Sequence, residues 1–141
     1  MKKAQISLEF LLVLGFAIML IFPATLLFMN FVSTSSNEIT SIQVQNIGET
    51  FAKNSRAMYY YGDGAFIEIT INFPAQIDGI EIQQNQLIIE STTNIGKSAS
   101  YFNLQVEAYN NTFPQEDVSE GIKHFIIRND NNTINISRIK K

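Results

Sequence analysis

The sequence has no cysteine and a single histidine among its 141 residues. Without cysteine there is no disulfide framework, no thiolate metal site and no cysteine nucleophile. His124 alone cannot build a multi-histidine zinc centre. Charge is scarce as well. Charged residues make up 16% of the chain, against roughly 25% in an ordinary soluble domain. The formal net charge is −3 and no basic block occurs, so no nucleic-acid partner is expected. Nucleotide-binding glycine loops, zinc-protease motifs and nucleophile elbows are missing. Asp130, set among asparagines, lacks the spacing of a calcium loop. The Glu116-Asp117 pair, between Pro114 and Gly121, reads as a solvated loop rather than an acid–base dyad. His124 reads as a packed or surface residue on a strand. No enzyme is expected, with no catalytic residue, no metal ligand and no cofactor. Disorder is also excluded, because Ile, Phe and Leu are plentiful.

What is present is concentrated. Residues 10–29 read FLLVLGFAIMLIFPATLLFM, twenty positions without a charge. A helix of that length covers roughly 30 Å, the hydrocarbon thickness of a bilayer. Lys2 and Lys3 precede the run, and the next basic residue is Lys53. That asymmetry predicts a cytoplasmic N-terminus and places everything after Val32 outside. An ordinary cleaved secretory signal has a shorter apolar region, of about 7–15 residues. An uncleaved signal anchor is the plain alternative.

The residues leading into the run are Met-Lys-Lys-Ala-Gln-Ile-Ser-Leu-Glu-Phe. A basic leader, a small residue, then Gln-x-Ser-x-Glu-Phe from Gln5 to Phe10 resembles the class III signal peptide of archaeal type IV pilin-like proteins. The resemblance implies that a prepilin peptidase cuts between Ala4 and Gln5 and leaves the apolar helix attached. Ala4 stands where the family usually has glycine. Cleavage makes Glu9 the fifth residue of the mature chain. In the family a matching glutamate pairs with the new N-terminal amine of a neighbouring subunit, which implies an assembly role for Glu9. Pairing suits the physics, since a lone carboxylate at the bilayer centre costs roughly 2.5–3.5 kcal/mol. The other reading puts Glu9 at headgroup level, facing water at a helix N-terminus. Gly15 and Pro23 are either ordinary membrane-helix composition or, at Pro23, a local loosening where one backbone hydrogen bond is lost.

Beyond the apolar run, Ser33-Thr34-Ser35-Ser36-Asn37 either breaks the helix or merely roughens it. Val44, Ile47, Phe51 and Met58 then recur at spacings of three, four and seven, a stripe that faces a core. Gly48 reads as a tolerated weak point in that helix. Tyr59-Tyr60-Tyr61 is expected to cover the junction of helix and sheet rather than to present an aromatic patch for ligand stacking, and Gly62 and Gly64 end the helix.

Residues 66–73 alternate apolar and polar, a half-buried strand closed by Pro74. Residues 80–83 and 87–91 flank Gln84-Asn85-Gln86 as a hairpin. Phe102, Leu104, Val106 and Ala108 suggest another alternating strand. Residues 124–128 and 134–139 flank Asn129-Asp130-Asn131-Asn132-Thr133 as a second hairpin. The expected fold class is α+β. A long N-terminal helix, apolar in its first half, precedes a small antiparallel head of five to six strands, a pilin-like layout. Its parts are a leader at 1–4, an apolar transmembrane or filament-core helix at 5–32, an amphipathic continuation at 33–61, and a β head at 62–141.

Three Asn-x-Ser/Thr sequons follow the membrane segment, at Asn110, Asn131 and Asn135, and are candidate N-glycosylation sites on the outer side. Two functions fit these features. By resemblance, the chain is a structural subunit of a type IV pilus-like surface filament, its apolar helices bundled in the core and its β heads displayed for adhesion. Its partners would be further copies of itself, a prepilin peptidase, an assembly ATPase and a platform membrane protein. It would sit in the cytoplasmic membrane as a precursor and at the cell surface once assembled. The alternative is a single-pass membrane-anchored extracellular binding domain that does not polymerise.

Overall fold

A computed structural model of the chain describes residues 2–94 and 96–139, with side chains described from residue 8 onward. The backbone divides into two compact units, Met1–Ser36 and Asn37–Lys141.

One helix, α1, runs from Lys2 to Tyr61. In the first unit its helical backbone passes through Pro23, and the Thr25 hydroxyl donates to the Ile21 carbonyl at 2.8 Å. The stretch from Leu8 onward is long and apolar enough to cross a membrane, and its apolar window has no buried residue. The serine-rich stretch does not end the helix.

The second unit holds the distal part of α1 and seven strands: β1 (Phe66–Phe73), β2 (Ile77–Gln83), β3 (Gln86–Thr93), β4 (Gly96–Asn103), β5 (Asn111–Phe113), β6 (Gly121–Asp130) and β7 (Thr133–Ile139). A four-residue helix, α2 (Gln115–Val118), lies between β5 and β6. The strands form two antiparallel sheets rather than one, in orders β1-β6-β7 and β4-β3-β2-β5. The α+β layout of a long helix followed by a small antiparallel head is therefore present, with seven strands where five to six were expected.

Alternation decides which face of each strand is inside. On β1, Ile69, Ile71 and Phe73 are buried while Glu68, Thr70 and Asn72 are exposed. On β6 and β7, Phe125, Ile127, Ile134 and Ile136 take the same inner face. The helical stripe Val44, Ile47, Phe51 and Met58 is buried in the same core as these residues. Phe125 sits at the centre of an aromatic cluster. Its ring lies 5.2 Å from Phe51, 5.8 Å from Phe73 and 5.5 Å from Phe113, so it joins helix, first sheet and second sheet. Each such ring contributes about 1.5–3 kcal/mol through burial.

Both hairpins turn on two residues with positive φ, Gln84 and Asn85 in one and Asn131 and Asn132 in the other. That is the primed turn whose twist matches its strands. The alternating strand expected through Phe102–Ala108 is different. Pairing stops at Asn103, and Gln105 takes φ +59°. Leu104 and Val106 are still buried, but by a segment that leaves the sheet and crosses to β7. There Ile134 donates to the Glu107 carbonyl at 2.7 Å, and Tyr109 donates to the Ile134 carbonyl at 2.9 Å.

Gly48 is a packing position rather than a weak point. A Cβ there would come within 2.3 Å of the Phe102 ring. The bare backbone is what admits that ring.

Candidate functional site

In the first unit the side chains of Phe10, Leu11, Leu12 and Val13 are each more than 60% exposed. The same pattern continues around the helix to Met29 and Phe31. No face is covered, so an apolar surface of this length needs lipid or other helices around it. Glu9 stands exposed at the start of this surface, and its side chain makes no ion pair or hydrogen bond among the described residues. Ala4 and Gln5, the expected cleavage pair, fall within α1, but their side chains lie outside the described residues.

In the second unit the three sequon asparagines are all exposed, though their settings differ. Asn110 precedes β5 and accepts a hydrogen bond from the Gln84 backbone N–H through Oδ1, at 3.3 Å. Asn131 is the first turn residue of the β6–β7 hairpin, and its backbone N–H donates to Asp63 at 2.7 Å. Asn135 lies on β7 opposite Arg128.

The tyrosine expectation needs correcting. Tyr59, Tyr60 and Tyr61 are 36%, 84% and 78% exposed, so they do not close the junction of helix and sheet. That task falls to Asn129. Its side chain is fully buried, and its amide donates to the carbonyls of Met58 and Tyr59 at 3.3 and 3.4 Å. The last turn of α1 leaves carbonyls without helical partners; this amide caps that of Met58 and joins the Gly62 N–H on that of Tyr59. Gly64 and Ala65 extend the β1–β6 pairing onto the Asn129 backbone.

The Glu116-Asp117 pair is not simply a solvated loop. Glu116 is exposed, but Asp117 is largely buried on α2 and pairs with Arg138 of β7 at 2.5 Å. The same guanidinium nitrogen donates to the Glu116 carbonyl at 3.1 Å. This arrangement anchors α2 and leaves no free dyad. His124 lies half-buried on β6, with Nδ1 3.2 Å from the Thr70 hydroxyl and 3.4 Å from Glu68. Among the described residues no group of three or more His, Asp or Glu side chains is placed to hold a metal ion.

Residue-by-residue reading of the sequence misses one feature. Tyr59, the Gln84-Asn85 turn and the segment after β4 line a single polar groove of about 370 Å³. The signal was present as two glutamine and asparagine clusters and a tyrosine, but these are far apart in sequence.

No protein-family model, curated protein or solved structure matches this chain.

Proposed function

We propose that this chain is a structural subunit of a surface filament of the archaeal type IV pilus kind. The observation that carries the reading is the uncovered apolar helix from Phe10 to Met29, attached to a head that has its own core. In the membrane, lipid covers that surface. In a filament, identical helices replace the lipid, so the membrane acts as a reservoir of subunits. Glu9 supplies a charge at the start of the apolar surface that a neighbour's amine can neutralise. The heads then form the outer face and carry adhesion.

The resemblance of residues 5–10 adds the machinery: a prepilin peptidase cutting between Ala4 and Gln5, an assembly ATPase and a platform membrane protein. The two lysines of the leader keep the N-terminus cytoplasmic, and the head lies outside. Cleavage removes both lysines and frees the helix to leave the membrane. N-terminal sequencing of the native protein tests this step. The mature chain is expected to begin at Gln5, whereas a retained Met1 or Lys2 favours a non-polymerising anchor.

The outward placement of the head makes Asn110, Asn131 and Asn135 available for N-glycosylation. The intact mass of the native protein reads this directly, and an unmodified mass overturns it.

A further inference from the structure

We infer that the polar groove lined by Tyr59, the β2–β3 turn and residues 103–107 is a binding site for a neutral saccharide. Its composition, its hydrogen bonding and its backbone conformation each bear on this.

The first is composition. The β2–β3 hairpin contributes Gln84, Asn85 and Gln86, the end of β4 contributes Asn103, and the segment after it contributes Gln105, Val106 and Glu107. Tyr59, from the last turn of α1, forms one wall. At about 370 Å³ the groove lies within the range of ligand pockets.

The second is orientation. The Asn85 Oδ1 accepts from the Ala108 backbone N–H at 3.1 Å, and the Asn103 Oδ1 accepts from the Gln105 backbone N–H at 2.7 Å. The Gln105 Oε1 accepts from Arg56 at 2.8 Å. Each partner is an N–H donor, so the oxygen end of each amide is fixed by chemistry. Their NH₂ groups make no hydrogen bond to a protein acceptor among the described residues. Gln84, Gln86 and Glu107 make no side-chain hydrogen bond within the described protein either. The groove is thus lined by residues that carry N–H donors without a protein acceptor among the described residues, two further amides, one carboxylate and an aromatic ring.

The third is backbone cost. Gln84, Asn85 and Gln105 are three of the five described non-glycine residues with positive φ. Glycine or asparagine is the usual occupant of that region, and glutamine fills it twice here. The hairpin turn accounts for Gln84 and Asn85, whereas Gln105 holds this conformation outside a hairpin while its side chain reaches Arg56.

The ligand class follows from what the groove offers. Hydroxyl groups both donate and accept, so they match NH₂ donors beside a carboxylate acceptor. The Tyr59 ring gives the apolar face of a sugar something to stack on. An anion is disfavoured by Glu107 and by Arg56 being engaged with Gln105. A peptide anchored by apolar side chains finds no apolar pocket here. Asn110 adjoins the groove through its contact with the Gln84 backbone, so the saccharide has two possible sources: a soluble or surface glycan, or a glycan on this chain's own sequon.

This inference deepens the adhesive role proposed for the head, but it does not require filaments. The test uses the full chain, made in a host without N-glycosylation and held in amine-oxide micelles, because sugar-headgroup detergents would compete. Side-chain NH₂ resonances are followed while maltotriose, cellotriose, chitotriose and mannotriose are added. At least one of them should shift the Asn85, Asn103 and Gln105 signals. Tyr59→Ala and the double variant Gln84→Ala/Gln86→Ala should weaken that binding about tenfold, and Tyr59→Phe should retain it. Gln84 and Gln86 make no side-chain hydrogen bond among the described residues, and position 84 already holds a non-glycine residue at positive φ, so this variant costs the fold little. No shift with any of the four sugars, or binding indifferent to both variants, overturns the inference. Protein from the native host separates the sources. Binding equal to that of the unmodified chain points to an external glycan, whereas binding restored only by Asn110→Gln points to the chain's own. Monomers that bind sugar yet never polymerise would overturn the filament reading alone.

Discussion

The Phe102 ring occupies the space that a side chain at Gly48 would need, with only 2.3 Å between an added Cβ and the ring. Helix α1 and strand β4 therefore approach closely because residue 48 has no side chain. Gly48→Ala removes a helix-weakening glycine, a gain of about 1 kcal/mol. It also forces a half-buried ring to move, which costs about 1–3 kcal/mol. A net loss of up to about 2 kcal/mol is expected in thermal or urea unfolding of the full chain in detergent. Adding Phe102→Leu should recover most of it, because the two sites are coupled.

Asn129 closes the end of α1 from the neighbouring sheet. Asn129→Leu keeps a branched side chain of similar shape but strips the Met58 carbonyl of its donor, while the Tyr59 carbonyl keeps the Gly62 N–H at 3.2 Å. Each buried group left without a partner costs about 1–3 kcal/mol. Hydrogen exchange should quicken first in the last turn of α1 and at Gly64, ahead of the centre of β6. Asn129→Asp should be worse, since a buried carboxylate cannot donate to either carbonyl.

The Asp117–Arg138 pair is largely buried, with side chains 17% and 20% exposed. Asp117→Ala leaves the guanidinium with the Glu116 carbonyl as its one remaining partner here, and its Nε is already buried without an acceptor. Breaking a well-buried pair from one side costs about 3–5 kcal/mol, and partial exposure brings this to about 2–3. The urea midpoint should fall with an unchanged slope. The double variant Asp117→Ala/Arg138→Met should be more stable than Asp117→Ala alone.

Glu9→Ala separates insertion from assembly. Removing one charge makes the apolar helix easier to insert, so membrane fractionation should be unchanged or improved. Filament yield should collapse if the carboxylate is the partner of a neighbour's amine. Normal filament yield in this variant removes Glu9 from the assembly mechanism.

Much of the fold is legible in the sequence where a single period dominates. Residues 10–29 are apolar without interruption, and β1 alternates cleanly, so both are plain. The two hairpins are signalled by Gln84-Asn85 and Asn131-Asn132. The rest depends on distant neighbours. Strand β4 offers Gly96-Lys-Ser-Ala-Ser, with little contrast between its faces, because it lies at a sheet edge and is mostly exposed. The alternation Leu104-Val106-Ala108 is real as burial but not as a strand, since Gln105 turns the chain out of the ladder. Gly48 and Asn129 gain meaning only from partners 54 and 71 positions away. The groove follows the same rule, since its walls come from three separate stretches that meet only in the folded head.

The central claim is that the apolar helix is a polymerisation surface as well as a membrane span. Electron microscopy of surface material from the native host tests it most directly, with antibody against the head as the label. The account predicts thin filaments decorated along their length, which disappear when residues 10–29 are replaced by an unrelated membrane span. Label confined to the membrane, with no filaments in the unaltered strain, would contradict it.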